Sequence, residues 1–204
     1  MVGTIQEEIK KIKEYAIAEN IPIMQDDGIA FLANFIIKNK INTVLEIGTA
    51  IGYSAIIMAL TNPNLKVVSI ERDEKRYLEA LKNIKRLKLE DRITLIFKDA
   101  LDVTLDEKFD LIFIDAAKSQ SINFFEKFEV NLEDNGYIIT DNMNFHGYVQ
   151  KSEDEIKSKN LRALVRKIKE YHEFLANNTD YVTIFHELGD GISVSRKKTD
   201  EERL

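Results

Sequence analysis

From Thr43 onward the chain alternates short apolar, β-branched runs with longer amphipathic stretches, and this constrains its fold more than any other feature. Five runs, Thr43 to Ile47, Lys66 to Ile70, Ile93 to Phe97, Phe109 to Ile114 and Tyr137 to Thr140, read as buried strands. Strands covered on both faces belong to a parallel sheet. The stretches between them, around 53–60, 73–87 and 119–130, are amphipathic, with Asp73 placed to cap the second. Strand and helix repeated in this order predict an α/β fold with helices on both faces of the sheet. A long charged helix over roughly 156–177 follows, and Tyr181 to His186 and Ile192 to Ser195 then flank Gly189-Asp190-Gly191. That tripeptide is a tight-turn signal, so the last two strands are expected to form an antiparallel hairpin.

Ahead of the sheet, Ile5, Ile9, Ile12 and Ala16 share one helical face. A second helix starts near Asp26 as its cap and carries Ile29, Leu32, Ala33 and Ile36 inward before Asn39-Lys40. Residues 1–40 thus read as N-terminal helices, 196–204 as a solvated flexible tail, and 1–204 as a single domain without a dividing linker. No apolar run approaches the ~20 residues of a membrane span, and the acidic, interrupted N-terminus is unlike a signal peptide, so a cytoplasmic protein away from membranes is expected. The chain has no cysteine, which excludes thiol catalysis and thiolate metal sites; any metal would be a hard one, such as magnesium, on oxygen or imidazole. A net charge of −6 argues against a non-specific coat on nucleic acid, and no DNA partner is expected, though a local basic patch is compatible with it.

In an open parallel sheet, ligands collect at the carboxyl ends of the strands. The first exit, VLEIGTAIGYSAI over Val44 to Ile56, puts Gly48 and Gly52 in a strand-to-helix turn, with Glu46 before it and Tyr53-Ser54 at the helix start. Glycine permits close backbone approach, and the first turn of a helix attracts an anion. The spacing is not the dinucleotide GxGxxG, and an ordinary tight turn reads the same way. The second exit ends in Glu71, either a carboxylate for a ribose diol or one more solvated acid in ERDEKR. The third ends in Lys98-Asp99-Ala100, where a carboxylate could accept from an adenine amino group. Three such exits in succession describe a nucleoside-bearing cofactor across the sheet edge.

The fourth and fifth exits differ in kind. FIDAAK leaves Asp115 and Lys118, and ITDNMNFHG leaves Asp141 and Asn142. Two carboxylates and an amide from neighbouring strand ends make an all-oxygen site suited to magnesium or calcium, and burying them without a cation is costly. The alternatives are a turn at Asp141-Asn142 and a helix cap at Asp115. His146, His172 and His186 lack metal-ligand spacing; His172 reads as surface, and His146 as a candidate for substrate contact.

VLEIGTAIGYSAI, Glu71, KDA, FIDAAKSQSINFF and ITDN together resemble the metal-dependent S-adenosylmethionine O-methyltransferases, the catechol and caffeoyl-CoA group, from about Ile21 to Lys197. Within it the chain is most similar to the bacterial branch that methylates 5-hydroxyuridine at the tRNA wobble position: IPIM, Phe124-Phe125 after DAAK, Gly147 after ITDN, and RALVRKIKEY leading to GDGISVSRKK. The resemblance implies a Rossmann-like seven-stranded sheet with an antiparallel last strand, and a homodimer. It implies S-adenosylmethionine held by Met24, Glu46, Gly48, Tyr53, Ser54, Glu71, Asp99, Ala100 and Asp115. It implies Mg2+ or another divalent cation on Asp115, Asp141 and Asn142, with Lys118 and Asp115 catalytic. Two positions depart from the pattern: Lys98 stands where many relatives have glycine, and Ala117 where the plant caffeoyl-CoA enzymes have a second aspartate.

Catechol and 5-hydroxyuridine both offer a hydroxyl beside a second oxygen, so one metal site serves either. The expected substrate is the tRNA anticodon arm, gripped by the segment from Lys151 to Glu170. That segment has seven basic residues, Lys151, Lys157, Lys159, Arg162, Arg166, Lys167 and Lys169, against four acidic ones. Arg196, Lys197 and Lys198 could add to it. A small catechol-type acceptor is the alternative, and a non-catalytic cofactor-binding protein a third, which would have no need of Lys118 and the oxygen ligands.

Overall fold

The computed structural model describes residues 4–203. Its seven strands form one mixed sheet in the order β3-β2-β1-β4-β5-β7-β6: β1 (Thr43–Ile47), β2 (Lys66–Glu71), β3 (Ile93–Phe97), β4 (Phe109–Ile114), β5 (Leu132–Asp141), β6 (Tyr181–His186) and β7 (Ile192–Lys197). By internal packing the chain divides into two compact units, one ending at Thr104 and the other beginning at Leu105.

The first unit opens with α1 (Ile5–Ala18), started by a capping box in which the Thr4 hydroxyl accepts from the Glu7 N–H and the Glu7 carboxylate from the Thr4 N–H. Ile12 and Ala16 face inward as expected, but Ile5 is exposed and Glu8, paired with Lys11 at 2.6 Å, is buried in its stead. In α2 (Asp26–Lys38), Ile29, Leu32 and Ile36 are buried. Asp26 does not cap it: Gln25 is the cap residue and makes no side-chain bond, while the Asp26 carboxylate takes Lys13 of α1 at 2.5 Å. The strands β1, β2 and β3 pair in parallel, with Ile47 opposite Ile70 and Glu71 opposite Phe97. Two helices connect them, α3 (Tyr53–Thr61) and α4 (Glu74–Arg86), and Asp73 caps the latter by accepting from the Arg76 N–H.

In the second unit, β4 pairs in parallel with β5, and β7 runs antiparallel to both β5 and β6. β5 begins at Leu132, well before the expected Tyr137, because LEDNG is drawn into the strand although it is a run of turn formers. Gly136 makes this possible, since a Cβ there would lie 3.0 Å from the Asp110 carbonyl oxygen. The helices are α5 (Ser121–Phe128) and α6 (Lys159–Ala176). The latter starts three residues later than expected, at a Ser158 cap, because Glu153–Glu155 form a separate 3₁₀ turn. Phe125 of α5 meets Phe174 and Tyr181 edge-on in the core. The flexible tail expected from 196 is not what forms: β7 runs to Lys197, Asp200–Arg203 make a 3₁₀ turn, and Arg196 pairs with Glu202 at 2.6 Å. Among the described residues no helix is long and apolar enough to cross a membrane.

Candidate active site

The glycine turn is built from strained backbone that the sequence tolerates at few positions. Gly48, Ala50 and Gly52 have φ of 100°, 46° and 84°, and the N–H groups of Gly48 and Thr49 donate to the Ile70 carbonyl at the end of β2. A Cβ on Gly52 would stand 3.3 Å from Ala80 Cβ, so glycine also admits α4 to close packing. Glu71, buried at the β2 exit, ties the arrangement together. Its Oε2 accepts from the Ala50 N–H at 2.8 Å, and its Oε1 from the N–H groups of Arg72 and Asp73 at 2.9 and 2.8 Å.

Beneath the turn lies a polar network that a reading of motifs alone misses. Glu46 is 0% exposed; its carboxylate accepts from Ser54 and Ser69, and the Ser69 hydroxyl lies 2.5 Å from that of Thr49. Glu46 therefore braces the turn from below, and the Ser54 hydroxyl donates to it. The available signal was Ser69, a hydroxyl inside the apolar run VVSIE. Met24 and Tyr53 are buried as well, and burial pushes the Tyr53 phenol above its usual value, with Lys13 opposing. Asp99 caps the 3₁₀ turn at Ala100–Asp102 through the Leu101 N–H and pairs with Arg72 at 3.1 Å; those two contacts, in that order, hold its carboxyl below the usual range. Ala100 is buried behind it.

The second unit brings together the other expected set. Asp115 follows β4, Asp141 ends β5, and Asn142 follows at φ 62°. Lys118 Nζ lies 2.9 Å from Asp115 Oδ1, and the Asn142 amide donates to Asp141 Oδ2 at 2.9 Å and to Asp115 Oδ1 at 3.3 Å. Asp141 is 4% exposed, and burial, followed by the charge of Asp115, pushes its carboxyl up to about 7 against the pull of Lys118. Two crowded carboxylates facing one ammonium and a neutral amide leave a net negative charge when both are ionised. Turned about its Cβ–Cγ bond, the same amide offers its oxygen, completing three hard donors. The donor chemistry therefore fits a divalent cation, although among the described residues no three His, Asp or Glu side chains cluster as a ready-made site.

His172 is not the surface residue expected: its Nε2 lies 2.8 Å from the Met143 carbonyl and its ring stacks on Phe185. His146 is exposed, with Nδ1 3.3 Å from Asp190. The cationic segment is partly neutralised internally. Arg166 pairs with Glu153 at 3.1 Å, Lys167 with Glu170 at 2.7 Å, and Arg162 donates to the Ile156 carbonyl at 2.6 Å.

The family model described as O-methyltransferase matches residues 3–198. The caffeoyl-CoA O-methyltransferase of Populus kitakamiensis is 27% identical over 205 residues, 94% of this chain and 86% of that protein. Among solved structures, a candidate caffeoyl-CoA O-methyltransferase from Staphylococcus aureus superposes with a TM-score of 0.89 at 35% identity, covering 93% of this chain and 92% of its own. The O-methyltransferase from Bacillus cereus in complex with S-adenosylhomocysteine gives 0.79 at 28%, covering 94% and 91%.

Proposed function

This chain belongs to the O-methyltransferase family, of the S-adenosylmethionine-dependent caffeoyl-CoA type, and from that premise we propose that it methylates one hydroxyl of an acceptor presenting two vicinal oxygens, a small catechol-type phenol. The observation that carries the acceptor chemistry is the convergence of Asp115, Asp141 and Asn142 beside Lys118, a hard oxygen set whose buried carboxylate is held up to about 7. These three side chains would hold a divalent cation, which supplies Lewis acidity that lowers the acceptor hydroxyl's pKa. Lys118, kept in place by Asp115, sets its ammonium against the oxyanion. In the first unit, Glu71 and the Gly48–Gly52 turn bind and orient the cofactor, and Asp99 meets its adenine.

The 5-hydroxyuridine of a tRNA anticodon arm is a second reading. It is supported by Lys157 and Lys159, which among the described residues have no carboxylate partner, and by Ala117 in place of a second aspartate. On either reading the protein acts as a homodimer, supported by the family resemblance and by Ile5, Ile17 and Ile37, exposed on α1 and α2; light scattering tests it.

The deciding assay supplies S-adenosylmethionine and Mg2+ with either catechol or hydroxylated tRNA. Catechol turnover that EDTA abolishes supports the main reading, and turnover confined to tRNA replaces it with the second. Paired Lys157→Ala and Lys159→Ala substitutions should then weaken tRNA binding and flatten its salt dependence. Asp141→Ala should abolish turnover with S-adenosylhomocysteine affinity nearly unchanged; full activity in EDTA would overturn the cation's role.

A further inference from the structure

The turn between β6 and β7 is fastened to the loop that follows Asn142. The Asn144 N–H donates to the Asp190 carbonyl at 2.7 Å, the Met143 N–H to the Gly191 carbonyl at 2.9 Å, and the His146 N–H to Asp190 Oδ1. An Asp that merely shapes its own turn bonds about two residues along the chain. Here the side chain reaches a partner 44 residues away. Asp190 is 6% exposed, and its Oδ2 has no hydrogen-bond partner among the described residues, His146 Nδ1 at 3.3 Å lying outside hydrogen-bond geometry. The two backbones are so close that a Cβ on Gly191 would lie 2.7 Å from the Asn144 nitrogen.

The loop needs such a hold. Asn142, Phe145 and His146 have φ of 62°, 43° and 54°, and Gly147 follows at 74°. Side chains other than glycine occupy that region only where the surroundings impose it, and strain of this kind gathers at functional sites. The strained run begins at Asn142, next to Asp141, and the Met143 carbonyl is further braced by His172. We infer that Asp190 is a positioning residue for the methyl-transfer site: by accepting the His146 N–H from inside the fold, its carboxylate holds the 142–147 loop in the conformation that sets Asn142 beside Asp141 and Asp115. The inference rests on reading those three residues as the cation's ligands.

The test compares Asp190→Ala and Asp190→Asn in the full chain by hydrogen exchange, by Mn2+ titration calorimetry and by S-adenosylhomocysteine binding. Asp190→Ala should speed exchange at 143–147 and weaken Mn2+ binding by about 10–100-fold, the range for loss of an outer hydrogen bond to a metal ligand's support. S-adenosylhomocysteine affinity should stay within about twofold, because the residues read as its contacts in the first unit keep their bonds. Asp190→Asn, which keeps an oxygen for the His146 N–H without the charge, should fall between wild type and alanine, and it serves alone if alanine fails to fold. Loop exchange and Mn2+ affinity at wild-type levels in a folded variant overturn the inference, as does exchange raised evenly along the whole chain. Wild-type protein that binds no Mn2+ instead overturns the cation reading on which it rests.

Discussion

Glu71→Gln is nearly isosteric, yet it should be one of the most damaging single changes in the first unit. The carboxylate has about four acceptor positions, and the N–H groups of Ala50, Arg72 and Asp73 occupy three, at 2.8, 2.9 and 2.8 Å. All three partners are donors. A glutamine amide turned to keep its oxygen on Arg72 and Asp73 points its N–H₂ at the Ala50 N–H, donor against donor; turned the other way it loses two bonds instead of one. Stranding one part-buried N–H costs about 1–3 kcal/mol, and exchanging charged for neutral acceptors at the other two costs roughly 1 kcal/mol more. The sum is about 2–4 kcal/mol, or roughly 4–16 °C in melting temperature for a chain of this size.

The same count bears on cofactor binding. With three positions filled, about one remains for a ribose hydroxyl, so on the proposed reading the carboxylate would make one charge-assisted bond to the sugar rather than grip both hydroxyls. Losing it should weaken S-adenosylhomocysteine binding by about 10–150-fold. Scanning calorimetry of the free protein and titration calorimetry with S-adenosylhomocysteine read the two effects separately. A Gln variant that melts with wild type refutes the structural argument. One that melts early but binds normally confines Glu71 to bracing the turn.

Lys118→Ala should lower kcat by about 10²–10³ at saturating Mg2+, and Lys118→Arg, which keeps the charge, should lose less; an Arg variant as poor as Ala would make Lys118 a proton acceptor instead. Gly136→Ala sets a Cβ 2.7 Å from Leu132 Cδ1 and 3.0 Å from the Asp110 carbonyl oxygen, a strain of about 1–3 kcal/mol that urea denaturation should register as a lower midpoint. The Asp99 carboxyl is held low first by the Leu101 N–H and then by Arg72; its folded pKa lies below the unfolded one, so its contribution is present above the unfolded value and fades as pH falls through the folded one. Arg72→Ala should therefore raise the Asp99 pKa in a carboxyl NMR titration without restoring its ordinary value, and an unmoved pKa would remove Arg72 as a cause.

Strands and helices were legible where one signal dominated. The runs at Thr43, Ile93 and Phe109 are dominated by apolar and β-branched residues, and their strands begin and end where the runs do. Boundaries shifted where tertiary packing overrode local preference, as when LEDNG joined β5 or when the Lys13 partner drew Asp26 away from capping. The site followed the same rule. Exits from parallel strands must place their side chains at one sheet edge, so Asp115, Asp141 and Asn142 were expected together and are found together. Glu46 has the same composition signal as Glu71, but it lies within β1 and is enclosed there, whereas Glu71 ends β2 and reaches the turn. Sequence gives the residue type at a strand exit; which hydroxyl or N–H turns to meet it is settled by the packed network.

Charge shows this limit most sharply. Counted along the chain, Lys151 to Glu170 is a local excess of three positive charges and reads as a grip for phosphates. In the fold, Glu153 turns back to Arg166 across 13 residues and Arg162 is spent on the Ile156 carbonyl, so the two arginines first suited to anchor a nucleic acid instead fasten the 3₁₀ segment to α6. Replacing them would loosen that segment whether or not RNA is the substrate, and weakened tRNA binding in such variants would not discriminate between acceptors. Lys157 and Lys159 do discriminate, because their ammonium groups carry no carboxylate partner among the described residues and their removal takes away charge without taking away a structural bond. A salt dependence that flattens on removing these two, with catechol turnover intact, can arise only from phosphate contacts at this face.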